Sequence, residues 1–405
     1  MKSKQQSRAR EDIFVGNSEM AGLMRSFDWS QTSLGAVEAW SQSLKITLSI
    51  LLTSRHPMFL WWGEELIQFY NDGYRPSLGA DKHPEALGHR GREFWDEIWD
   101  IIGPQIEGVM ERGESTWNEN QLVPIIRNGY LEEVYWTYSY SPVRDENGDI
   151  NGVLVVCSET TEQVIGKRQL QIQRELAAKT VGVKTVEQAC EISARTLADN
   201  SDDVPFALLY LLDDTRSKAQ LAGIAGLDAG TVASPRDIEI NSDSQIDKKW
   251  SLSAAMATGK SQIVEELQSK FGELSGGWSE SPHAAVVVPL IAPAQANIIG
   301  FLIAGISPKR PFNDGYKGFF DLISGQIASA ISNAKTWETE RYLEEIRETA
   351  LRETEAANIR MQEVLSSIRD GFVVLGRNWQ FIYLNNRQVE IMGMKREEIL
   401  GKNLW

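Results

Sequence analysis

The side chains that could do chemistry in this 405-residue chain are four histidines, two cysteines, a phosphate-loop-like tetrapeptide and a run of aromatics. His56, His83, His89 and His283 stand at no metal-ligand spacing, and those among them that adjoin a proline read as loop residues. Thr258-Gly259-Lys260-Ser261 resembles the end of G-x-x-x-x-G-K-[ST], but the first glycine position is Ala254 and no strand precedes it. A helix ending at Gly259, followed by a strand, is the better reading. Gly223, Gly226 and Gly230 do not make G-x-G-x-x-G, and no serine lies in a G-x-S-x-G turn. Cys157 and Cys190 are too few for a disulfide or metal framework, which is the usage of a reducing compartment. Glu344, Glu345, Glu353 and Glu355 alternate with Arg341, Arg347 and Arg352. On a solvated helix such groups form i to i+4 ion pairs and cannot desolvate a substrate. Catalytic machinery is not visible.

The aromatic run offers binding rather than catalysis. In Tyr135-Trp136-Thr137-Tyr138-Ser139-Tyr140, strand spacing places Val134, Trp136, Tyr138 and Tyr140 on one face. With Trp61, Trp62, Phe69 and Tyr70 they could line an apolar pocket for a small ligand. The competing reading is that they fill the core between sheet and helices, or a dimer face. The pocket candidates are Trp61, Phe69, Tyr70, Trp136 and Tyr138.

The elements that position them follow from periodicity. Apolar spacing over 34–52 predicts an entry helix, and residues 58–62 and 66–70 predict a hairpin around Gly63-Glu64-Glu65. Residues 94–112 are helical. Strands follow near 117–127, 132–141 and 150–158, separated by Asn128-Gly129 and by the turn residues 145–149. A polar helix links this domain to a second α+β unit. That unit has helices at 185–198, 252–257 and 316–334, and strands at 206–212, 220–226, 284–291 and 298–306. Residues 335–368 form a long charged helix whose thin apolar stripe (Leu343, Ile346, Ala350, Ala357, Met361, Val364, Ile368) suits a dimer seam.

Composition sets the bounds. At 42% apolar and 24% charged, the chain can bury cores, and its length suggests about three domains. Forty-one basic against 56 acidic residues, a net −15, argue against nucleic acid. The longest apolar runs, 46–52 and 284–291, are too short for a membrane span, and the cytoplasm is the expected location. The expected layout is a disordered tail over 1–17, a helical extension over 18–50, a sheet domain over 51–163 and a linker helix over 164–180. A second domain covers 181–334, a coiled-coil helix 335–360 and an incomplete third domain 361–405. The last assignment rests on an internal repeat. Residues 58–71 (MFLWWGEELIQFYN) and 372–385 (FVVLGRNWQFIYLN) share strand–turn–strand texture and a final Asn. Ala86-Leu87-Gly88 and Ile399-Leu400-Gly401 then each lead to a Trp, at Trp95 and Trp405. Position 405 therefore reads as a truncation point.

These pieces match known families. Residues 51–163 resemble a PAS domain through Met58-Phe59-Leu60-Trp61-Trp62-Gly63, Phe69-Tyr70-Asn71-Asp72, Tyr138-Ser139-Tyr140-Ser141-Pro142 and the exit Glu159-Thr160-Thr161-Glu162. Phe27-Asp28-Trp29-Ser30, Leu34-Gly35 and Trp40 flank it. Residues 181–337 resemble a GAF domain through Phe206-Ala207-Leu208-Leu209-Tyr210, Pro289-Leu290, Gly300-Phe301-Leu302 and Arg310-Pro311-Phe312. Residues 361–405 resemble the first part of another PAS domain. The order is similar to the amino-terminal sensory region of soluble bacterial PAS–GAF–PAS sensor histidine kinases.

That resemblance implies an α+β chain: a PAS-like five-stranded antiparallel sheet with helices, a GAF-like domain, long joining helices and an incomplete second PAS domain. It implies a homodimer through helical linkers, a small-molecule, redox or partner signal, and a response regulator as partner of the whole kinase. Phosphotransfer would need a phosphoacceptor His and an ATP-binding domain, and no His lies beyond His283. ATP therefore belongs to the kinase part alone. No cofactor is identifiable. Cys157 falls in the last strand, away from the flavin-adduct position, and Cys190 on the first GAF helix, away from a bilin thioether. His83 and His89 are formal haem-ligand candidates in a loop-like stretch, and no pattern commits the GAF domain to a cyclic nucleotide. The alternative function is a ligand-free dimerisation or protein-interaction scaffold.

Overall fold

The computed structural model describes residues 13–241, 243–274, 280–293 and 297–405. They fall into two compact units: Met1–Val181 with Cys190–Ser329, and Gly182–Ala189 with Ala330–Trp405.

In the first unit the chain enters through aromatics. Residues 1–12 of the expected tail lie outside the described residues, but the tail ends before residue 17. Ile13 and Phe14 are buried, Phe14 against Trp29 and Trp40 at centroid distances of 6.1 and 5.8 Å. Ser18 caps helix α1 (Glu19–Ser26) by accepting the Ala21 N–H. The helix expected over 34–52 starts later, as α2 (Gln42–Thr53). Gly35 takes φ +66°, 3-10 turns occupy Trp29–Gln31 and Val37–Ala39, and Ser41 is the N-cap.

Strands β1 (Met58–Trp62) and β2 (Ile67–Tyr70) pair antiparallel, with Phe59 opposite Tyr70 and Trp62 opposite Ile67. Helices α3 (Arg75–Lys82) and α4 (Trp99–Arg112) follow. The strand expected over 117–127 is two strands, β3 (Thr116–Leu122) and β4 (Ile125–Arg127). Pro124 between them has no N–H to give a ladder. β4 pairs with β5 (Tyr130–Glu132), around Asn128 and Gly129 at φ +57° and +85°, the left-handed pair a two-residue hairpin needs. β6 (Tyr135–Arg144) and β7 (Ile150–Glu159) complete a five-stranded antiparallel sheet in the order β2-β1-β7-β6-β3.

Helix α5 (Thr161–Thr180) leads on, and α6 (Val186–Ala198) follows. A six-stranded antiparallel sheet runs β10-β9-β8-β13-β12-β11. Its strands are β8 (Ala207–Leu212), β9 (Lys218–Ala225), β10 (Asp237–Glu239), β11 (Gln262–Val264), β12 (Ala285–Ile291) and β13 (Ile298–Gly305). The three-residue edges β10 and β11 are too short to show alternation in sequence. Helices α7 (Gln245–Trp250) and α8 (Leu252–Thr258) lie between β10 and β11. Gly259, at φ +64°, ends α8 and β11 follows, so the phosphate-loop-like tetrapeptide is a helix cap. Trp250 is the keystone of this core: fully buried, stacked on Phe271 at 4.2 Å, its indole N–H donated to the Ala233 carbonyl. The closing helix and the charged helix read separately from sequence are one, α9 (Asp314–Ser367). No glycine or proline interrupts residues 326–367. From Tyr342 onward its Leu343, Ile346, Met361 and Val364 side chains are exposed.

The second unit holds β14 (Val373–Leu375), β15 (Phe381–Leu384) and α10 (Asn386–Met392) around Phe381, Leu384 and Ile399. The repeat read from sequence is a repeat of hydrogen bonds. Asn71 and Asn385 are both buried. Asn71 Oδ1 accepts the N–H groups of Met58 and Tyr74, and Asn385 Oδ1 those of Phe372 and Gln388. Asn71 Nδ2 donates to the carbonyls of Leu51, Ser54 and His56, and Asn385 Nδ2 to those of Ile368 and Asp370. Gly88 N–H donates to Gln68 O, as Gly401 N–H does to Phe381 O.

Candidate functional site

Strand alternation decides which aromatics meet. Cross-strand partners share a sheet face, so the register Leu60↔Phe69 puts Phe69 with Leu60, while Phe59↔Tyr70 puts Tyr70 with Phe59. Phe59, Trp61, Trp136, Tyr138, Tyr140, Val155 and Cys157 then share the face that α4 covers through Ile102. Between them lies a hollow of about 50 Å³, closed further by Tyr74, Trp95, Ile98, Val123 and Ile125. Of the five candidates, Trp61, Trp136 and Tyr138 line it. Phe69 does not: it lies on the opposite face, stacked on Trp29 at 4.7 Å and edge-on to Trp40 at 5.7 Å, in the core made with the entry segment. Tyr70 is on the right face but outside the wall, its hydroxyl bonded to His83 Nδ1 at 2.9 Å. The other His83 nitrogen faces Glu19, so both ring nitrogens have partners.

Sequence reading missed Tyr74 and Cys157 as wall residues. Tyr74 follows the hairpin in a stretch read as loop, and it is placed by Asn71, whose side chain accepts its N–H at 3.0 Å. Cys157 alternates with Val155 on β7, and that alternation was the available signal.

The wall is chemically neutral, with no Asp, Glu, Lys, Arg or His in it. Burial pushes the phenols of Tyr74 and Tyr140 far up and raises that of Tyr138, whose hydroxyl is held by Gln105 at 2.9 Å. Burial and the nearby Glu159 push the Cys157 thiol up to about 12, so it is a poor nucleophile at neutral pH. Burial raises Cys190 to about 12 as well.

The sheet that carries the hollow ends in an ionic junction. Arg127 on β4 makes a two-pronged pair with Glu159 at the end of β7 (2.9 and 3.0 Å) and also binds Glu132. Thr160 N–H donates to Tyr135 O at 2.8 Å and Tyr135 N–H to Thr161 Oγ1 at 3.0 Å, so the start of β6 and the start of α5 are tied. On α5, Arg168 reaches Glu133, just before β6, at 2.8 and 3.2 Å. It also pairs with Asp203, before β8, through two nitrogens, one at 3.1 Å. Both carboxylate side chains are fully buried. Burial pulls Arg168 toward deprotonation, but its bonds to Asp203 and Glu133 outweigh this and hold it above its ordinary pKa. Arg310 adds a second cation on Asp203 and lies 4.2 Å from the Tyr316 ring centroid. Glu133 N–H donates to Lys309 O at 2.9 Å. The five-stranded and six-stranded sheets of the first unit are thus joined by two buried carboxylates that share one guanidinium.

Comparison with known proteins agrees with this architecture. Residues 64–165 match the family model described as PAS fold, and residues 183–332 the one described as GAF domain. The chain carries a PAS-fold domain followed by a GAF domain, in a mixed α+β structure with antiparallel sheets and a long helix. Such a pairing marks a signal-sensing region. No curated protein matches the chain. Among solved structures, it is similar to the GAF domain of an Acinetobacter phosphoenolpyruvate-protein phosphotransferase (16% identity, 42% of this chain, 95% of the other, TM-score 0.31). It is also similar to a free methionine-R-sulfoxide reductase from Neisseria meningitidis solved with its substrate (14%, 42% and 90%, TM-score 0.32). A third is a methyl-accepting chemotaxis protein, residues 122 to 287 (13%, 40% and 97%, TM-score 0.31). Among the described residues, no helix is long and apolar enough to cross a membrane.

Proposed function

We propose that this chain is the sensory input region of a cytoplasmic two-component histidine kinase. It detects a small ligand, redox state or partner and passes the change through its helices to a kinase that phosphorylates a response regulator. The observation that carries this reading is the continuity from hollow to helix. β6 and β7 supply Tyr138, Tyr140 and Cys157 to the wall, and the ends of the same strands are clamped by Arg127 and Arg168 at the start of α5. A change in the wall therefore has a mechanical path to the helix and, through Asp203, to the GAF domain. Two packings separated by a few kcal/mol suffice for such a switch. The exposed apolar residues of α9 (Leu343, Ile346, Met361, Val364) suit a seam between two copies of the chain.

The test joins the whole chain to a histidine-kinase catalytic core lacking its own input domain and measures autophosphorylation from ATP. Val155→Leu adds one methylene to the hollow, and Arg168→Met breaks the junction without adding charge. Each should change the rate at least threefold relative to the parent hybrid. Equal rates in all three would favour a scaffold that only holds the domains together.

A further inference from the structure

Three asparagines of this chain precede a glycine, Asn128, Asn147 and Asn151, and the fold gives each a different setting. The pair matters because glycine, with no Cβ, leaves its backbone nitrogen open to the preceding side-chain amide. Asn128 stands in the β4–β5 turn, where its Nδ2 donates to Glu132 Oε1 at 2.7 Å and the Gly129 N–H donates to Asp81 Oδ2 at 2.9 Å. Both bonds end on a carboxylate, and such bonds are roughly twice as strong as neutral ones. Asn151 lies in β7, its Nδ2 donating to Asp145 Oδ2 at 2.8 Å. The next residue, Gly152, is packed shut: a carbon added to it would stand 2.5 Å from the Trp62 ring and 2.9 Å from the Trp61 carbonyl oxygen. Asn147 differs on each count. It is exposed in the β6–β7 turn, and its side chain makes no hydrogen bond among the described residues. Gly148, at φ +94°, has nothing within 4 Å of a carbon placed on it, and its N–H goes to a neutral acceptor, the Asp145 carbonyl, at 3.2 Å.

We propose that Asn147 is a site of spontaneous deamidation, converting to aspartate and isoaspartate while Asn128 and Asn151 stay intact. The Gly148 nitrogen gives its proton to hydroxide and attacks Asn147 Cγ. A C–N bond forms, the Cγ–Nδ2 bond breaks, and the amide group leaves as ammonia with a proton from solvent. Water then opens the five-membered imide. Breaking the new Cγ–N bond gives aspartate, and breaking the original peptide bond gives isoaspartate, whose main chain runs through Cγ and is one carbon longer. One water enters, one ammonia leaves, and nothing is oxidised or reduced. At Gly129 the Asp81 carboxylate holds the corresponding proton directly, and at Gly152 the packing leaves an imide ring no room. The change reaches beyond the turn, because neighbouring Glu146 accepts the Ser43 N–H at 2.9 Å and so ties this hairpin to the first turn of α2. A longer main chain beside Glu146 and a further negative charge next to Asp145 and Asp149 work against that contact. The inference is independent of the sensory role.

The test holds the full chain at mildly alkaline pH and body temperature in water enriched in oxygen-18, then maps its peptides by mass spectrometry over time. Asn147 should react at least tenfold faster than Asn128 and Asn151, take up one oxygen-18 and yield both aspartate and isoaspartate. In concentrated guanidinium chloride, which removes the fold, the three rates should come within about threefold of one another. The Ser43 amide should exchange with solvent at least threefold faster in the deamidated fraction, and equal exchange would strike the effect on α2. The proposal is overturned if Asn147 reacts no faster than Asn128 or Asn151 in the folded chain, or if its product lacks isoaspartate. It is overturned equally if Asn147 keeps its tenfold lead in the unfolded chain, where sequence neighbours alone set the rates.

Discussion

Replacing Arg168 with Ala should cost about 3–5 kcal/mol of the stability of the PAS–GAF unit, because it strips the shared cation from two fully buried carboxylates. The loss should fall toward the lower end of that range. Glu133 keeps the Tyr135 hydroxyl at 2.9 Å, and Asp203 keeps Arg310. An exposed ion pair would be worth no more than about 1 kcal/mol, which sets the contrast. Urea unfolding of the full chain, followed by tryptophan fluorescence, measures the effect as a shift in the first transition. The sign is checked by rescue: adding Glu133→Gln to Arg168→Ala removes the carboxylate left without a cation, while Asp203 keeps Arg310, and should recover about half of the loss. A loss under about 1 kcal/mol, or no rescue, would mean that the carboxylates are solvated and that the junction does not hold the domains.

The second large effect belongs to Asn71. Its side chain accepts two backbone N–H groups and donates to three carbonyls, stitching the end of α2, the start of β1 and the turn into α3. Asn71→Ala leaves these groups without their partner, and at about 1–3 kcal/mol for each buried group left unsatisfied a total near 3–4 kcal/mol is expected, since part of the site is open to water. Asn71→Asp keeps both acceptances but turns a carboxylate oxygen toward three carbonyls, so it should cost at least as much as Asn71→Ala. The matching Asn385→Ala should cost less, about 1–2 kcal/mol, because Asn385 donates to two carbonyls rather than three and supports only the small core of Phe381, Leu384 and Ile399. The same unfolding experiment, comparing the three variants, checks the order. Equal losses at Asn71 and Asn385 would contradict this account of their bonds.

Much of this was legible in the sequence because the signals were local. Asn128-Gly129 fixed a hairpin turn, Gly259 a helix end, and alternation from Val134 to Tyr140 the face that became one wall of the hollow. The two matching Asn positions pointed to a repeat, although their hydrogen-bond role is visible only once backbone groups distant in sequence are brought together. What stayed hidden depended on register and on distant partners. Phe69 and Tyr70 are neighbours in an apolar run, and only pairing with β1 shows that Phe69 faces Trp29 and Trp40. Phe14, read as part of a tail, is buried because the same two tryptophans create a place for it. Arg168, Glu133 and Asp203 each look like an ordinary surface charge in sequence, 35 residues apart, and become a junction only when α5 lies between the two sheets.

The claim on which the account turns is that the wall of the hollow and helix α5 move as one. Amide hydrogen exchange of the full chain tests it without any ligand. Val155→Leu should change exchange at least threefold across Thr161–Thr180 as well as in β6 and β7, and the effect on Thr161–Thr180 should vanish when Arg168→Met is added. A change confined to β1, β6 and β7, with α5 exchange as in the parent protein, would contradict it.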